Sequence, residues 1–390
     1  MEMIHESNQL MLDLIKASLW GTIPPEVGED VYNEMQQQAI VALPANIISL
    51  AVTSPELQDK WKKSALQQVY YYTNYKYQQS LLPIEVPYVI LKGTSASKYY
   101  PHPEYRAMGD IDVITRHEDY EEAFRQLESQ GYKVSKSDSD REDVLDKNGI
   151  AVELHRRFAS LNDPQQAEYL DTLIVDNINP THVLPDLVNG LVLLEHISQH
   201  LENGLGLRQI IDWMMFVDKC LSDEAWTKFE PMADKIGLKK LAVTTTRMCE
   251  IYLGLPEHSW CTDVELSLCK KLISYVLECG NFGVKKTSAE AISENAFAYA
   301  STPKMAFKLL QKRGNINWKM AQKHRVLRPF AWIYQAIRYA ILGLHRDEAT
   351  SKLRTEYKAA QERNAMFDAL GVKTAAKGIV IYKDGKYIKT

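Results

Sequence analysis

Asp110 and Asp112 are the residues whose type and spacing speak most directly of chemistry. They sit two apart in Asp110-Ile-Asp-Val-Ile-Thr115, a run that reads as a β-strand, so both carboxylates fall on one face. Their α-carbons would stand roughly 7 Å apart, and the side chains can converge further. Two anions held that close raise each other's proton affinity unless a cation lies between them. A hard divalent ion removes the conflict, and magnesium bound through one or two carboxylates plus substrate phosphates is the common solution. Glu153, in Ile150-Ala-Val-Glu-Leu-His155, offers a third carboxylate. Its neighbours Val152 and Leu154 point into the core, so Glu153 faces the other way and meets the aspartates if its strand pairs beside theirs. Three carboxylates on neighbouring strands suit two-metal phosphoryl chemistry.

Phosphates need a cradle as well. Lys92-Gly93-Thr94-Ser95 falls where a strand turns into a helix. There Gly93 lets the backbone come close, the first helical N–H groups face an anion, and Lys92 or Ser95 adds direct contacts. Arg106, just ahead of the aspartates, can offer a two-pronged fork to a phosphate oxygen. Singly these signals are weak. An isolated Asp-x-Asp is usually a solvated strand end, a Lys-Gly pair usually just ends a strand, and Arg106 by default answers Glu104. A lone Glu153 would by default be one partner of a surface ion pair. Their order and context carry the inference.

The elements that must position these groups can be read from the pattern. Val86-Pro-Tyr-Val-Ile-Leu91 is a first strand, after which Thr94 or Ser95 caps a short helix through Tyr99, broken by Pro101-His-Pro103. Following the aspartate strand, Tyr120, Phe124 and Leu127 mark a helix over 118–130 that Gly131 ends. Tyr132-Lys-Val134 is a third strand. Asp143-Val-Leu-Asp146 and 150–155 flank Asn148-Gly149, a pair suited to a tight hairpin turn. One mixed sheet with helices on one face accommodates that order. Residues 1–82 read as helices, with Leu10, Leu12, Leu14 and Ile15 starting one apolar face. The segment 186–197 is apolar nearly all round, as a buried helix would be. The end of the chain, 379–389, alternates around Asp384-Gly385 as a second hairpin.

The residues now assembled carry a resemblance. Leu91-Lys-Gly93, Tyr100-Pro101, Arg106-Ala-Met-Gly-Asp-Ile-Asp112 and Val152-Glu-Leu-His155 resemble the poorly characterised bacterial nucleotidyltransferase family of the polymerase-β-like superfamily. The resemblance covers mainly 86–160 and reaches more loosely to His196, His200, Gly204-Leu-Gly-Leu-Arg-Gln209 and Asp212. It implies that Asp110 and Asp112 are the metal pair, Glu153 the third acid and Gly93 the first glycine of the triphosphate turn. Thr94 departs from the usual Ser or Gly at the next position. The fold implied is α+β: a small mixed-sheet nucleotidyltransferase core embedded in a predominantly helical protein. Its expected parts are a helical region at 1–85, the core at 86–160, a helical domain at 161–345 and a tail at 346–390. The expected activity is transfer of a nucleoside monophosphate, AMP from ATP first among the donors, to an acceptor hydroxyl, with two Mg2+ ions. The acceptor is open among small molecule, saccharide, protein and RNA.

Two rivals belong to other classes. A glycosyltransferase holding a nucleotide-sugar diphosphate at Asp110-x-Asp112 would usually place several βα units before the motif, whereas one clear strand precedes it here. A nucleotide-binding module without turnover has no need of three acids. Further along, His196 and His200 are i, i+4, a spacing that can hold zinc, but Glu195 precedes the first histidine, unlike the metalloprotease order. Structural histidines beside the cleft are the expectation. Arg208 and Asp212 can pair along a helix, or Arg208 can address phosphate or base. His155 shares a face with Glu153 and either touches substrate or caps the strand beside Arg156 and Arg157.

The bulk composition excludes rather than selects. Of 390 residues 45% are hydrophobic and 25% charged, and a net charge of −4 argues against a protein that coats nucleic acid with its whole surface. A nucleic-acid acceptor is therefore not favoured. Between Asn295 and Arg346 acids are absent while Lys304, Lys308, Lys312, Arg313, Lys319, Lys323, Arg325 and Arg328 gather with Phe307 and Trp318. A solvated helical face is preferred there over a polyanion site. The N-terminus has neither the basic start nor the apolar run of a secretory signal, and no stretch has the roughly 18 apolar residues of a spanning helix. Five cysteines without paired metal spacing suggest reduced thiols in a cytoplasmic protein.

Overall fold

The apolar strands and the asparagine-glycine turn resolve, in a computed structural model, into a five-stranded sheet. The structure describes residues 4–138, 141–201, 204–285, 307, 310–311, 314–315, 317–344, 349–372, 380–383 and 386–389. Ahead of the sheet lie helices α1 (Glu6–Trp20), α2 (Glu29–Gln37), α3 (Ile48–Ala51) and α4 (Pro55–Ser80). The core contains β1 (Tyr88–Leu91), α5 (Gly93–Ser97), β2 (Ile111–Thr115), α6 (Tyr120–Ser129), β3 (Lys133–Asp138), β4 (Glu142–Lys147) and β5 (Ile150–His155). Helices α7 (Pro164–Asp176), α8 (Asp186–Leu201), α9 (Leu207–Cys220), α10 (Asp223–Lys235), α11 (Lys239–Leu253) and α12 (Leu266–Cys279) follow. The α+β class expected from the sequence is the one observed.

Strand order is β1-β2-β5-β4-β3, with β2 and β5 parallel and every other pairing antiparallel. Asn148 and Gly149 take φ of 55° and 77°, as a two-residue hairpin turn requires. That turn pairs Lys147 with Ile150, and the register then runs down to Glu142 opposite His155. Ile111, Val113, Val152 and Leu154 enter one core with Tyr120, Ala123 and Leu127 of α6. Because side chains alternate, the opposite face of the same two strands carries Asp112, Glu153 and His155. One sheet thus has an apolar face to fold on and a polar face to work with.

Three local expectations are corrected. Neither Thr94 nor Ser95 caps α5; Lys92 and Gly93 both have positive φ, which turns the chain one residue earlier and starts the helix at Gly93. The helix expected over 118–130 begins at Tyr120, after a 3-10 turn at His117–Asp119. The third strand is longer than 132–134, because its ladder to β4 continues to Asp138 opposite Glu142.

Contacts divide the chain into two units. One comprises Met1–Lys285, Leu370–Val372 and Val380–Thr390, and includes the hairpin of Val380–Lys383 with Lys386–Lys389. The turn residues Asp384 and Gly385 lie outside the described residues. The other unit comprises Lys286–Ala369 and Lys373–Ile379. In it Trp318 stacks on Tyr334 at 5.3 Å and Phe307 packs against Trp332 at 5.6 Å. The basic residues Lys304, Lys308, Lys312 and Arg313 are outside the described residues, as is the side chain of Arg325. Among the described residues no helix is long and apolar enough to cross a membrane. All five cysteines are free thiols, four of them buried.

Helix α8 is buried along most of its length, as its all-round apolar sequence requires. Gly190 is what lets it approach α9: a Cβ there would overlap the ring of Phe216, itself packed against Trp213, Phe229 and Tyr99. Gly190→Ala is expected to destabilise the protein by about 1–3 kcal/mol, read as a lower urea midpoint at unchanged slope.

Candidate functional site

The polar face of β2 and β5 gathers its acids by register alone. Asp112 lies directly beside Glu153 in the parallel ladder, and His155 follows two residues on along the same face. Nε2 of His155 donates to Asp112 Oδ1 at 2.9 Å and stands 3.8 Å from Glu153 Oε2. Its other nitrogen lies 3.3 Å from Glu142 Oε2. Asp110 stands just before β2 and is partly exposed.

The principal cation comes from the strand next door. Leu91 of β1 pairs with Asp112, so Lys92 leaves the sheet at the level of the acids. Its Nζ reaches Asp112 Oδ1 at 2.5 Å, with the lysine side chain 11% and the aspartate 1% exposed. Lys92 achieves this with φ of 48°, a strained value for a residue with a side chain. Gly93 follows at φ 29°, and a Cβ on it would press on Met108 at 3.3 Å. The hydroxyls next in line are already engaged: Ser95 donates to Ile90 O and Thr94 to Gln79 of α4.

The electrostatics follow from burying so many acids together. Burial, then the charges of Asp112 and Asp110, push the Glu153 carboxyl up to about 8. Burial and then Asp112 likewise raise Asp110. Asp112 goes the other way: burial opposes its ionisation, but Lys92 and the His155 hydrogen bond hold it well below the usual carboxylate range. Burial works against the Lys92 charge too, yet Asp112, Asp110 and Glu153 together raise its pKa.

Arg106, and not Arg208, is the arginine paired with Asp212. The Arg106 fork is spent on Asp212, with Nε to Oδ1 at 2.9 Å and Nη2 to Oδ2 at 2.6 Å, and Tyr100 donates to the same carboxylate at 2.7 Å. That buried pair ties the loop before β2 to α9, so Arg106 offers no open fork to a phosphate in this structure. Arg208 is thereby deprived of its helical neighbour. Arg208 is 9% exposed, among the described residues its Nε has no hydrogen-bond partner, and Nη1 makes one long contact to Ala107 O at 3.5 Å. Burial and then the neighbouring Arg106 lower its pKa. A buried guanidinium with free donors is suited to an anion.

His196 and His200 face each other, Nε2 to Nε2 at 2.9 Å. Burial, then Lys92 and Arg208, bring His200 down to about 3, and burial with His200 lowers His196 as well. They are held neutral, and among the described residues no third ligand joins them for zinc.

Which atoms could hold a metal is answered by what Asp112 leaves over. Lys92 and His155 both bind Oδ1, while Oδ2 is buried and among the described residues has no hydrogen-bond partner. Ligand atoms of Asp112, Glu153 and His155 lie within 4.8 Å of one another. Two carboxylates, one of them with an unsatisfied buried oxygen, fit a hard divalent cation, with His155 orienting Asp112. Glu142, a neighbour of this cluster that the sequence pattern does not mark, is placed opposite His155 by the Asn148-Gly149 register.

A metal-capable acid cluster on a small mixed sheet, beside a strained lysine-glycine turn, defines the class of site. Residues 30–254, more than half of the chain, match the model of a family described as uncharacterised nucleotidyltransferase, and the chain belongs to that family. No curated protein and no solved structure matches the chain.

Behind the cluster, Glu195 of α8 accepts the Ser160 N–H at 2.7 Å, and burial raises its carboxyl to about 8 from 4.5. The folded state therefore holds that proton more tightly than the unfolded chain. This contribution to stability is complete below about pH 4.5 and is lost as pH rises through about 8. The melting temperature should fall across that window, and Glu195→Gln should shrink the fall.

Proposed function

We propose that this nucleotidyltransferase transfers a nucleoside monophosphate from an NTP, ATP foremost, to an acceptor hydroxyl with release of pyrophosphate. The observation that carries the reading is the lateral pairing of Asp112 with Glu153 around a carboxylate oxygen that no described residue satisfies. Asp112 and Glu153, joined by Asp110 at the strand entrance, would hold Mg2+, with two ions expected. His155 orients Asp112 through its 2.9 Å hydrogen bond. When bound, the metal supplies Lewis-acid stabilisation of the phosphate oxygens and lowers the pKa of the attacking hydroxyl.

The remaining work falls to the chain itself. Lys92 is released from Asp112 to the triphosphate, where its positive charge meets the charge that develops on pyrophosphate. The backbone at Gly93 lets the phosphates come close, with Thr94 and Ser95 shaping the turn behind it. Arg208 presents its free donors to another phosphate oxygen. The acceptor oxygen attacks the α-phosphorus in line, the bond to the bridging oxygen breaks, and pyrophosphate departs. Glu153, at the second metal position, would help to activate the acceptor hydroxyl. Arg106 serves by fixing the loop before β2 rather than by touching phosphate.

The sugar-nucleotide alternative is weakened by topology, since among the described residues only β1 precedes the motif strand, and it is antiparallel to it. Pyrophosphate release from each NTP with Mg2+, wild type against Asp112→Asn, tests the proposal. Asparagine keeps an acceptor for Lys92 and His155 but loses the charge. Turnover should drop at least about a hundredfold; metal-dependent release that survives in the variant would sink the assignment.

A further inference from the structure

Beyond α12, in the segment Gly280-Asn-Phe-Gly283, three of four residues have left-handed backbones: φ is 67° at Gly280, 55° at Phe282 and 70° at Gly283. Glycine takes such values freely, whereas Phe282 does so under strain, and strain of this kind persists only where the surroundings enforce it. Here they do. A Cβ on Gly204 would overlap the Gly283 backbone, and one on Gly206 would stand 2.7 Å from the Asn281 α-carbon. The Asn281 side chain accepts from Gln209 Nε2 at 3.1 Å. Two glycines of the loop before α9 thus clamp this segment backbone to backbone.

What the clamp does is present a ring. Phe282 is 55% exposed although it sits in a tightly held turn. An exposed aromatic alone means little; its neighbours give this one a place. The Arg208 guanidinium lies 5.3 Å from the ring centre, and the His200 ring is 4.9 Å away at 64°. Arg208 reaches on to Ala107 O, three residues ahead of Asp110, and its charge acts on that carboxyl. His200 in turn feels Lys92 and Asp112. Phe282 therefore stands at the rim of the charged site, with the Arg208 guanidinium between it and the acids.

We propose that Phe282 is the stacking platform for the nucleobase of the bound NTP, with Arg208 bridging ring and phosphates. This rests on the nucleotidyltransferase reading and extends it. A nucleotide has a planar, polarisable base at one end and a polyanion at the other. The site offers an exposed aromatic at one end and Lys92 with a potential metal at the other. Every base has a π-face, so a stacking platform adds affinity for all four NTPs without choosing sharply among them.

The test is equilibrium binding to the full chain of ATP, GTP, CTP, UTP and inorganic tripolyphosphate with Mg2+. Wild type is compared with Phe282→Leu and Phe282→Tyr, each first checked for an unchanged melting temperature. Phe282→Leu should weaken every NTP about tenfold and leave tripolyphosphate unaltered, while Phe282→Tyr keeps wild-type affinity. NTP affinity unchanged in Phe282→Leu would overturn the stacking role alone. Equal weakening of tripolyphosphate would overturn it too, making the ring a brace for Arg208. Failure of the wild type to bind any NTP would instead overturn the nucleotide reading on which the proposal stands.

Discussion

Acid crowding on one face of a small sheet is the constraint around which this protein is arranged. Asp110, Asp112, Glu153 and Glu142 converge where solvent is largely excluded, and like charges so placed cannot all ionise without compensation. Lys92 supplies the nearest compensation, at the expense of a strained backbone. Its pairing with one oxygen of Asp112 leaves the other unsatisfied. Such a balance is incomplete by construction. A buried carboxylate oxygen without a partner is costly in a finished core and is intelligible where a cation is to arrive.

Much of the surrounding helix can be understood as support for that balance. Gln68 and Tyr75 of α4 donate to the carbonyls of Arg106 and Gly109, and Gln79 accepts from Thr94. The three contacts hold the loop before β2 and the turn after β1 from one rigid rod. From the other direction, Asp212 of α9 fixes Arg106 with a two-pronged ion pair, and Asn189 of α8 donates to Ser95 O. Positioning of this kind confines the acids more tightly than loops could. It also explains why an arginine close to the site is withheld from the substrate: removing Arg106 from Asp212 would strand a buried charge.

How legible this was depends on the range of the interaction. The strands, the hairpin and the common face of Asp112 and Glu153 follow from period-two alternation and a two-residue turn, both local signals. The pairing of β2 with β5 was only conditional in the sequence, yet it is the step that brings the acids together. Arg106 with Asp212, 106 residues apart, was out of reach; the helical spacing of Arg208 and Asp212 pointed to a different pair, which the tertiary contact displaced. Glu142 lies one residue before the run Asp143-Val-Leu-Asp146 that marks the strand, and it is the ladder to β5 that carries the strand back to it opposite His155. Phe282 has no motif to reveal it, since its meaning lies in a backbone angle and in what two distant glycines permit.

An anomalous difference map from crystals grown with Mn2+ and a non-hydrolysable NTP would address the acid cluster itself. A peak within coordination distance of both Asp112 and Glu153, with Lys92 moved from Asp112 to the phosphates, is the result this account predicts. Bound nucleotide with the Lys92–Asp112 pair intact and no manganese between the two acids would contradict it.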